Sequence, residues 1–155
     1  LGKHEEKKKA PSVHFGGHAF ISSEYVPVED DRLYFYQRLS EAENTSQVKD
    51  ILSELKDRFG PLPGPESSLF SVAQVRISLV GSSVQTLKIM SSFCSVVLCS
   101  FFPFSSVKSI EDKISAKKPS YKIKEKDGDI IISVSEPNIS ASLKTARYFI
   151  NLFRV

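Results

Sequence analysis

The stretch ILSELKDRFGPLPGP at residues 51–65 indicates how the chain folds. Apolar side chains with helical spacing run through it and just before it, at Val48, Ile51, Leu52, Leu55 and Phe59. Gly60 suits the left-handed position after a helix, and Pro61 prevents the helix from continuing. The pattern therefore predicts a helix that begins at a capping Thr45 or Ser46 and ends at residue 59.

The residues before this helix predict a strand and a further helix. Residues 13–21 are apolar and aromatic, with a bend expected at Gly16-Gly17. A helix is expected to begin at a capping Asp30 or Asp31 and to run to residue 42, with an apolar face that includes Leu33 and Leu39.

The residues after residue 60 predict one more helix and then a region rich in strands. Pro65 suits the first position of a helix that ends at Gly81. Asp127-Gly128 is a strong hairpin signal. The remaining expected elements are strands at residues 84–90, 93–102, 121–126 and 129–134 and helices at residues 105–117 and 140–155.

The order of elements predicts an α+β fold in which a helical front half of three helices packs with a small, mostly antiparallel sheet and a C-terminal helix. Residues 1–12 hold mixed charges and are expected to form a flexible lead-in or linker. Residues 13–155 are expected to form a single domain. The first residue is Leu1 and not Met, which favours a fragment of a larger protein.

The sequence lacks the common signals of catalysis, metal binding and membrane insertion. It contains no glycine-rich phosphate loop, and no apolar run reaches the roughly 20 residues that span a bilayer. On one strand, His14 and His18 would lie about 13 Å apart, too far to share a metal ion. Two cysteines are too few for a disulfide scaffold. We therefore expect no catalytic residue, metal or cofactor in this domain.

An acidic row on the predicted second helix is the first candidate functional feature. With the apolar side buried, Asp50, Glu54 and Asp57 fall on the opposite side, and Arg58 follows Glu54 by one turn. Negative charge near a helix C-terminus is unfavourable unless a positive group compensates it. A basic partner surface would provide this charge; a plain solvated face is the alternative interpretation.

A lysine-rich segment is the second candidate feature. Residues 108–126 hold seven lysines against three acids, and residues 117, 118, 122 and 124 are all lysine. Lys117, Lys118, Lys122 and Lys124 are therefore candidates for binding the phosphates of a nucleic acid. Lysine without arginine is also a common means of protecting a sheet edge from aggregation.

Four segments of the chain resemble the C-terminal domain of the transcription-repair coupling factor family, Mfd. In order, they are ISSEYVP at 21–27, DDRLYFYQRLSEAE at 30–43, ILSELKDRFGPLPGP at 51–65 and QVR at 74–76. The resemblance covers residues 13–82 well. Beyond them it rests on the order of elements, and the serine- and phenylalanine-rich residues 91–106 depart from the family pattern.

The resemblance implies a cytoplasmic parent protein that is an ATP-driven translocase on double-stranded DNA. Such a parent displaces stalled RNA polymerase and recruits nucleotide excision repair through UvrA. Its motor, which binds ATP and magnesium, would lie outside this chain, so this domain would not itself be an enzyme.

For the domain itself, the resemblance implies autoinhibition by docking. The terminal domain of the family packs on an N-terminal module similar to UvrB and thereby masks the surface that binds UvrA. Glu54, Asp57, Arg58 and Asp50 then become the candidates for contacts to basic residues of that module. Phe59, Gly60, Pro61 and Pro63 are interpreted as structural residues that end the helix and set the direction of the chain.

Overall fold

A computed structural model describes residues 11–98, 104–118 and 120–154 of the chain. The elements of the front half are β1 (Ser12–Phe15), α1 (Glu29–Glu41), α2 (Thr45–Phe59) and α3 (Gly64–Leu79). The elements of the back half are β2 (Val84–Ile89), β3 (Phe93–Leu98), α4 (Phe104–Lys117), β4 (Tyr121–Lys126), β5 (Asp129–Ser135) and α5 (Ile139–Leu152). The predicted α+β fold is confirmed.

The strands form one sheet in the order β1-β2-β3-β5-β4. β1 pairs with β2 in parallel, and the other three pairings are antiparallel. α4 connects β3 to β4, which lie on either side of β5. The sheet is therefore mostly antiparallel, as predicted, and the N-terminal strand forms the edge opposite β4.

Two apolar clusters form the core, and α3 contributes to both. Phe70 and Ala73 of α3 belong to the cluster built by α1, α2 and the residues before α1. Val75 and Leu79 belong to the cluster beneath the sheet, which α4 and α5 complete. The helical half and the sheet half are thus joined through the side chains of one helix.

The ends of α2 confirm one prediction and correct another. Gly60 has a φ of +87° and a ψ of −165°, a positive-φ conformation that favours glycine, and the helix ends before it as predicted. The N-terminal cap, however, is Asn44, whose side-chain oxygen accepts a hydrogen bond of 2.9 Å from Gln47 N. The prediction of Thr45 or Ser46 as the cap is wrong, because the side chain of the preceding residue, Asn44, accepts the hydrogen bond from the free amide of Gln47.

The starts of the neighbouring helices also differ from prediction. α1 begins at Glu29 after Val28, which makes no side-chain cap, so the acids expected to cap it lie within the first turn. Their negative charge still suits the positive end of the helix. α3 begins at Gly64, so Pro65 occupies its second position and not its first.

The strands agree with prediction in the hairpin and differ at β1. Asp127 and Gly128 have φ values of +53° and +84°, as a two-residue hairpin turn requires. β1 ends at Phe15 and does not extend to residue 21, since Gly16 N makes its last bond to the sheet, 2.8 Å from Ile89 O. A Cβ on Gly16 would lie 2.9 Å from the flexible end of the Met90 side chain, which would have to shift to admit a larger residue. Residues 1–10 of the expected lead-in and 99–102 of the expected strand lie outside the described residues.

Candidate docking surface

Tyr25 of the ISSEYVP segment holds the C-terminal end of α2 in place. Its hydroxyl donates a hydrogen bond of 2.6 Å to Gly60 O and lies 3.4 Å from Leu55 O. The Tyr25 ring also meets the Phe59 ring edge-on, with centroids 5.9 Å apart. Burial, and then the negative charge of Glu66, raise the pKa of Tyr25, which keeps its hydroxyl protonated and able to donate. The carbonyl of Gly60, directly after α2, thereby gains a donor that the helix itself does not provide.

Glu66 fixes the same loop to α3. Its side chain is fully buried, and Oε1 accepts hydrogen bonds from Ser22 N at 2.7 Å and from Ser22 Oγ at 2.6 Å. Glu66 lies in the first turn of α3, where the helix end favours a negative charge. Ser22 and Glu66 are 44 residues apart, so no local sequence pattern indicated this contact.

Asp50 and Asp57 are the members of the acidic row that remain available on the surface. Both side chains are exposed on α2. Neither makes a hydrogen bond or ion pair with any residue in the described part of the chain. Their carboxylates lie about two helical turns apart on a helix whose two ends are held by Asn44 and Tyr25. α2 therefore presents two negative charges at a fixed spacing.

Glu54, between them, is paired within the domain. Its carboxylate forms an ion pair with Arg38 of α1 and lies 3.9 Å from the guanidinium of Arg58, one turn further along α2. The hydrogen bond with Glu54 is the main reason that the pKa of Arg38 is raised above its ordinary value. Two arginines of the same domain thus already compensate the charge of Glu54, and its predicted role as a docking contact remains untested.

Arg58 is likewise engaged within the domain. Its guanidinium carbon lies 5.5 Å from the centre of the Phe35 ring and 5.0 Å from the centre of the Phe59 ring. One guanidinium nitrogen is 3.3 Å from a carboxylate oxygen of Asp31. An arginine stacked on two rings and paired with an acid holds α1 against α2 and contributes to their packing. Its predicted role as a docking contact remains untested.

A shallow groove between α1 and α2 adds another acid to the surface. The groove has a volume of about 280 Å³ and is lined by Arg38, Glu41, Ala42, Gln47, Asp50 and Ile51. Glu41 was not singled out from the sequence, because only the fold brings the end of α1 beside Asp50. On α1, Leu33 and Tyr34 are exposed by 58% and 44%. We call this surface, formed by Leu33, Tyr34, Glu41, Asp50 and Asp57, the α1–α2 face.

The four candidate lysines of the back half do not form one patch. The Lys118 ammonium lies 2.8 Å from Glu136 Oε1, and the Lys117 ammonium lies over the Tyr148 ring, 5.1 Å from its centre. Lys122 and Lys124 are exposed on the edge strand β4. Two of the four are therefore engaged within the domain, and two face outwards.

The described residues show few features of a reactive site. Cys94 is buried, and burial raises the pKa of its thiol to about 12, so the reactive thiolate is disfavoured. Cys99 lies outside the described residues. Within the residues that the structure covers, no group of three or more His, Cys, Asp or Glu side chains could hold a metal ion. No helix in the same part of the chain is long and apolar enough to cross a membrane.

A second cavity, of about 590 Å³, lies beside the end of α2. Lys56, Gly60, Pro61, Leu62 and Ser67 line it. Lys56 is its one ionisable lining side chain, and no hydrogen bond joins its ammonium group to the Ser67 hydroxyl. The lining of this cavity therefore contains no acid–base pair that would add to the candidate site.

Comparison with known proteins identifies the family. Residues 15–101 match the family model described as the TRCF domain. The chain is 26% identical to the transcription-repair-coupling factor of Helicobacter pylori over 146 residues, which is 94% of this chain and 13% of that protein. It is 34% identical to the transcription-repair-coupling factor of Escherichia coli over 58 residues, 37% of this chain and 5% of that protein.

A solved structure supports the same assignment at the level of the fold. The crystal structure of the C-terminal domain of a transcription-repair coupling factor matches with a TM-score of 0.68 and 16% identity, and the match covers 95% of this chain and 96% of that one. The family match includes most of the front half, with α1, α2 and α3, and extends to β3. The chain therefore belongs to the TRCF domain family, and it spans a small part of the length of the curated relatives that it matches.

Proposed function

We propose that this chain is the C-terminal docking domain of a transcription-repair coupling factor and that it keeps the parent protein in a closed, inhibited state. The proposed parent is a cytoplasmic, ATP-dependent translocase on double-stranded DNA that displaces stalled RNA polymerase and recruits excision repair. Its motor would bind ATP and magnesium outside this chain. The observation that carries the proposal is the pair of exposed, uncompensated carboxylates on α2, Asp50 and Asp57.

The proposed mechanism is differential binding between two states of the parent. In the closed state, the α1–α2 face covers basic residues of the N-terminal UvrB-like module and blocks the surface that UvrA would bind. In the open state, that surface is free. A domain that binds one state better shifts the equilibrium towards it, typically by about 1–3 kcal/mol for coupled sites.

In this proposal, the predicted site residues fall into two groups with different tasks. Asp50 and Asp57, with Glu41 at the groove, are the proposed contacts to the partner's positive charges. Glu54 and Arg58 are proposed to position α2 against α1 through Arg38 and Asp31. Exposed Leu33 and Tyr34 would provide the apolar contact that a charged surface alone lacks.

The test uses the full-length parent with Asp50→Asn and Asp57→Asn, which remove charge with little change in shape. We expect higher basal ATPase activity and tighter UvrA binding, because the closed state loses interactions that the open state never had. A matched control is Asp112→Asn with Glu125→Gln, which neutralises two exposed acids of the back half. Unchanged ATPase activity and unchanged UvrA binding in the first variant would argue against the proposal.

A further inference from the structure

The sheet has one face covered by helices and one face that the described helices leave open. α3, α4 and α5 all contribute to the apolar cluster on the covered face, for example with Leu79, Ile114 and Phe149. The strands contribute the alternate residues Leu87, Ile89, Cys94, Val96, Leu98, Ile130, Ile132 and Val134 to the same cluster. Successive strand residues point to opposite faces, so the intervening residues form the other face.

The strand register fixes which residues of the open face are neighbours. One row crosses all five strands and joins His14, Lys88, Ser95, Ser133 and Lys122. The adjacent row joins Ser12, Thr86, Val97, Ile131 and Lys124. Basic residues therefore lie towards the two sides of the sheet, and small or apolar residues lie between them.

The charge of this face is almost entirely positive. Lys88, Lys122, Lys124 and Lys126 are exposed, and Asp129, opposite Lys126, is the one acid that the register places on this face. None of these lysines forms an ion pair with another residue in the described ranges. Lys88 was not part of the lysine segment identified from the sequence, because only the strand order places β2 and β4 in the same sheet.

The strip of small and apolar residues between the flanking lysines, here called the central strip, is about as wide as one helix. Lys88 on β2 and Lys122 on β4 are separated by three strand spacings, which is roughly 14 Å. An α-helix with its side chains is about 10–12 Å wide. The strip between the lysines contains Ser95, which is buried, and Ser133, Val97 and Ile131, which are partly exposed. The small serine side chains permit close approach, and Val97 and Ile131 offer apolar contact.

We propose that the open face of the sheet binds an acidic amphipathic helix supplied by another protein or module. The apolar side of the helix would pack on Val97 and Ile131, and carboxylates on its flanks would approach Lys88 on one side and Lys122 and Lys124 on the other. This surface lies on the sheet and not on the α1–α2 face, so its occupant differs from the basic partner proposed for Asp50 and Asp57.

A nucleic acid is the less suitable occupant of this face. Sequence-tolerant binding of single strands generally uses exposed aromatic rings on which bases stack. Of the aromatic rings that the register places on this face, Phe93 is only partly exposed, and His14 lies on the edge strand β1, outside the central strip. An apolar central strip also offers phosphates no counter-charge, whereas it suits the apolar side of a helix.

The test uses the 155-residue chain and a synthetic peptide of about five helical turns, with leucines on one side and glutamates on both flanks. A second peptide has the same composition in scrambled order, so that it lacks the apolar stripe. Fluorescence anisotropy of the labelled peptides measures binding. We expect the amphipathic peptide to bind and the scrambled peptide to bind at least about tenfold more weakly, a difference of about 1.4 kcal/mol.

Charge reversal on the chain locates the site. We expect Lys88→Glu with Lys122→Glu to weaken binding of the amphipathic peptide by at least about tenfold. The matched control, Lys144→Glu with Arg147→Glu, makes the same change in charge on exposed positions of α5 and should bind as the unmodified chain does. Circular dichroism confirms that both variants are folded.

Three results would overturn the proposal. They are equal binding of the two peptides, equal effects of the two charge reversals, and tighter, steeply salt-dependent binding of a DNA duplex that Lys88→Glu with Lys122→Glu abolishes. The last result would assign the face to nucleic acid. Asp50→Asn with Asp57→Asn should leave peptide binding unchanged, so failure here is distinguishable from failure of the proposed docking function.

Discussion

The helical half and the sheet half of this domain differ in whether their characteristic residues bind within the domain or remain free on its surface. In the helical half, the residues of the quoted family segments mostly bind other parts of the same domain. Tyr25 holds the end of α2, and Glu66 holds Ser22. In the sheet half, the lysines of the open face have no ion-pair partner among the described residues. A segment that identifies the family therefore need not be the surface that is available to a partner.

This difference separates structural residues from interaction residues within α2 itself. Glu54 and Arg58 lie in the most recognisable segment and are already paired with Arg38 and Asp31. Asp50 and Asp57 lie on the same helix, and their side chains form no hydrogen bond or ion pair in the described part of the chain. Stability measurements should therefore respond to the first pair, and binding measurements to the second.

Removal of a buried ring should have the largest effect on stability. Phe35→Ala is expected to lower the free energy of unfolding by about 3–5 kcal/mol, because the ring is fully buried in the helical cluster and lies beneath Arg58. Urea denaturation measures this change. The matched control is Tyr34→Ala at the adjacent, exposed position, which should cost much less. Similar losses in both variants would contradict the assignment of α1 faces.

The contact between the loop and α3 should have the next largest effect. Ser22→Ala removes a hydrogen bond to the buried carboxylate of Glu66, and a bond to a charged group contributes about 1.5–3 kcal/mol. Ser23→Ala is the control, since Ser23 is exposed and makes no such bond. Thermal or urea unfolding compares the two variants. If Ser22→Ala were no more damaging than Ser23→Ala, the structural role assigned to this segment would be wrong.

The cap of α2 should have the smallest of these effects. Asn44→Ala is expected to cost about 1 kcal/mol, because the amide of Gln47 loses its acceptor. Thr45→Ala should stay within about 0.5 kcal/mol, since Thr45 is the first helical residue and not the cap. The same unfolding measurements decide between the two residues. A larger loss of stability from Thr45→Ala than from Asn44→Ala would support the cap predicted from the sequence.

The features predicted correctly from the sequence depend on short-range rules. The Asp127-Gly128 hairpin and the stop at Gly60 follow from backbone conformations that few residues adopt. The outward direction of Asp50 and Asp57 follows from helical periodicity alone. The order of helices and strands follows from the change between helical and alternating patterns along the chain.

The features that were missed depend on residues that are distant in sequence. Glu54 meets Arg38 across 16 residues, and their pairing depends on how α1 crosses α2. Glu41 joins the acidic surface only because the groove brings the two helices together. Lys88 shares a face with Lys122 only through the strand order, which no local pattern encodes.

The exposure of Asp50 and Asp57 in two settings tests the central claim most directly. Carbodiimide labelling of carboxylates, read by mass spectrometry, measures their accessibility in the 155-residue chain and in the full-length parent. Asp112 and Glu125, exposed on the back half, serve as internal controls. We predict that Asp50 and Asp57 are labelled readily in the chain alone and are protected in the full-length protein, while the controls do not change. Equal labelling of Asp50 and Asp57 in both settings would contradict the account.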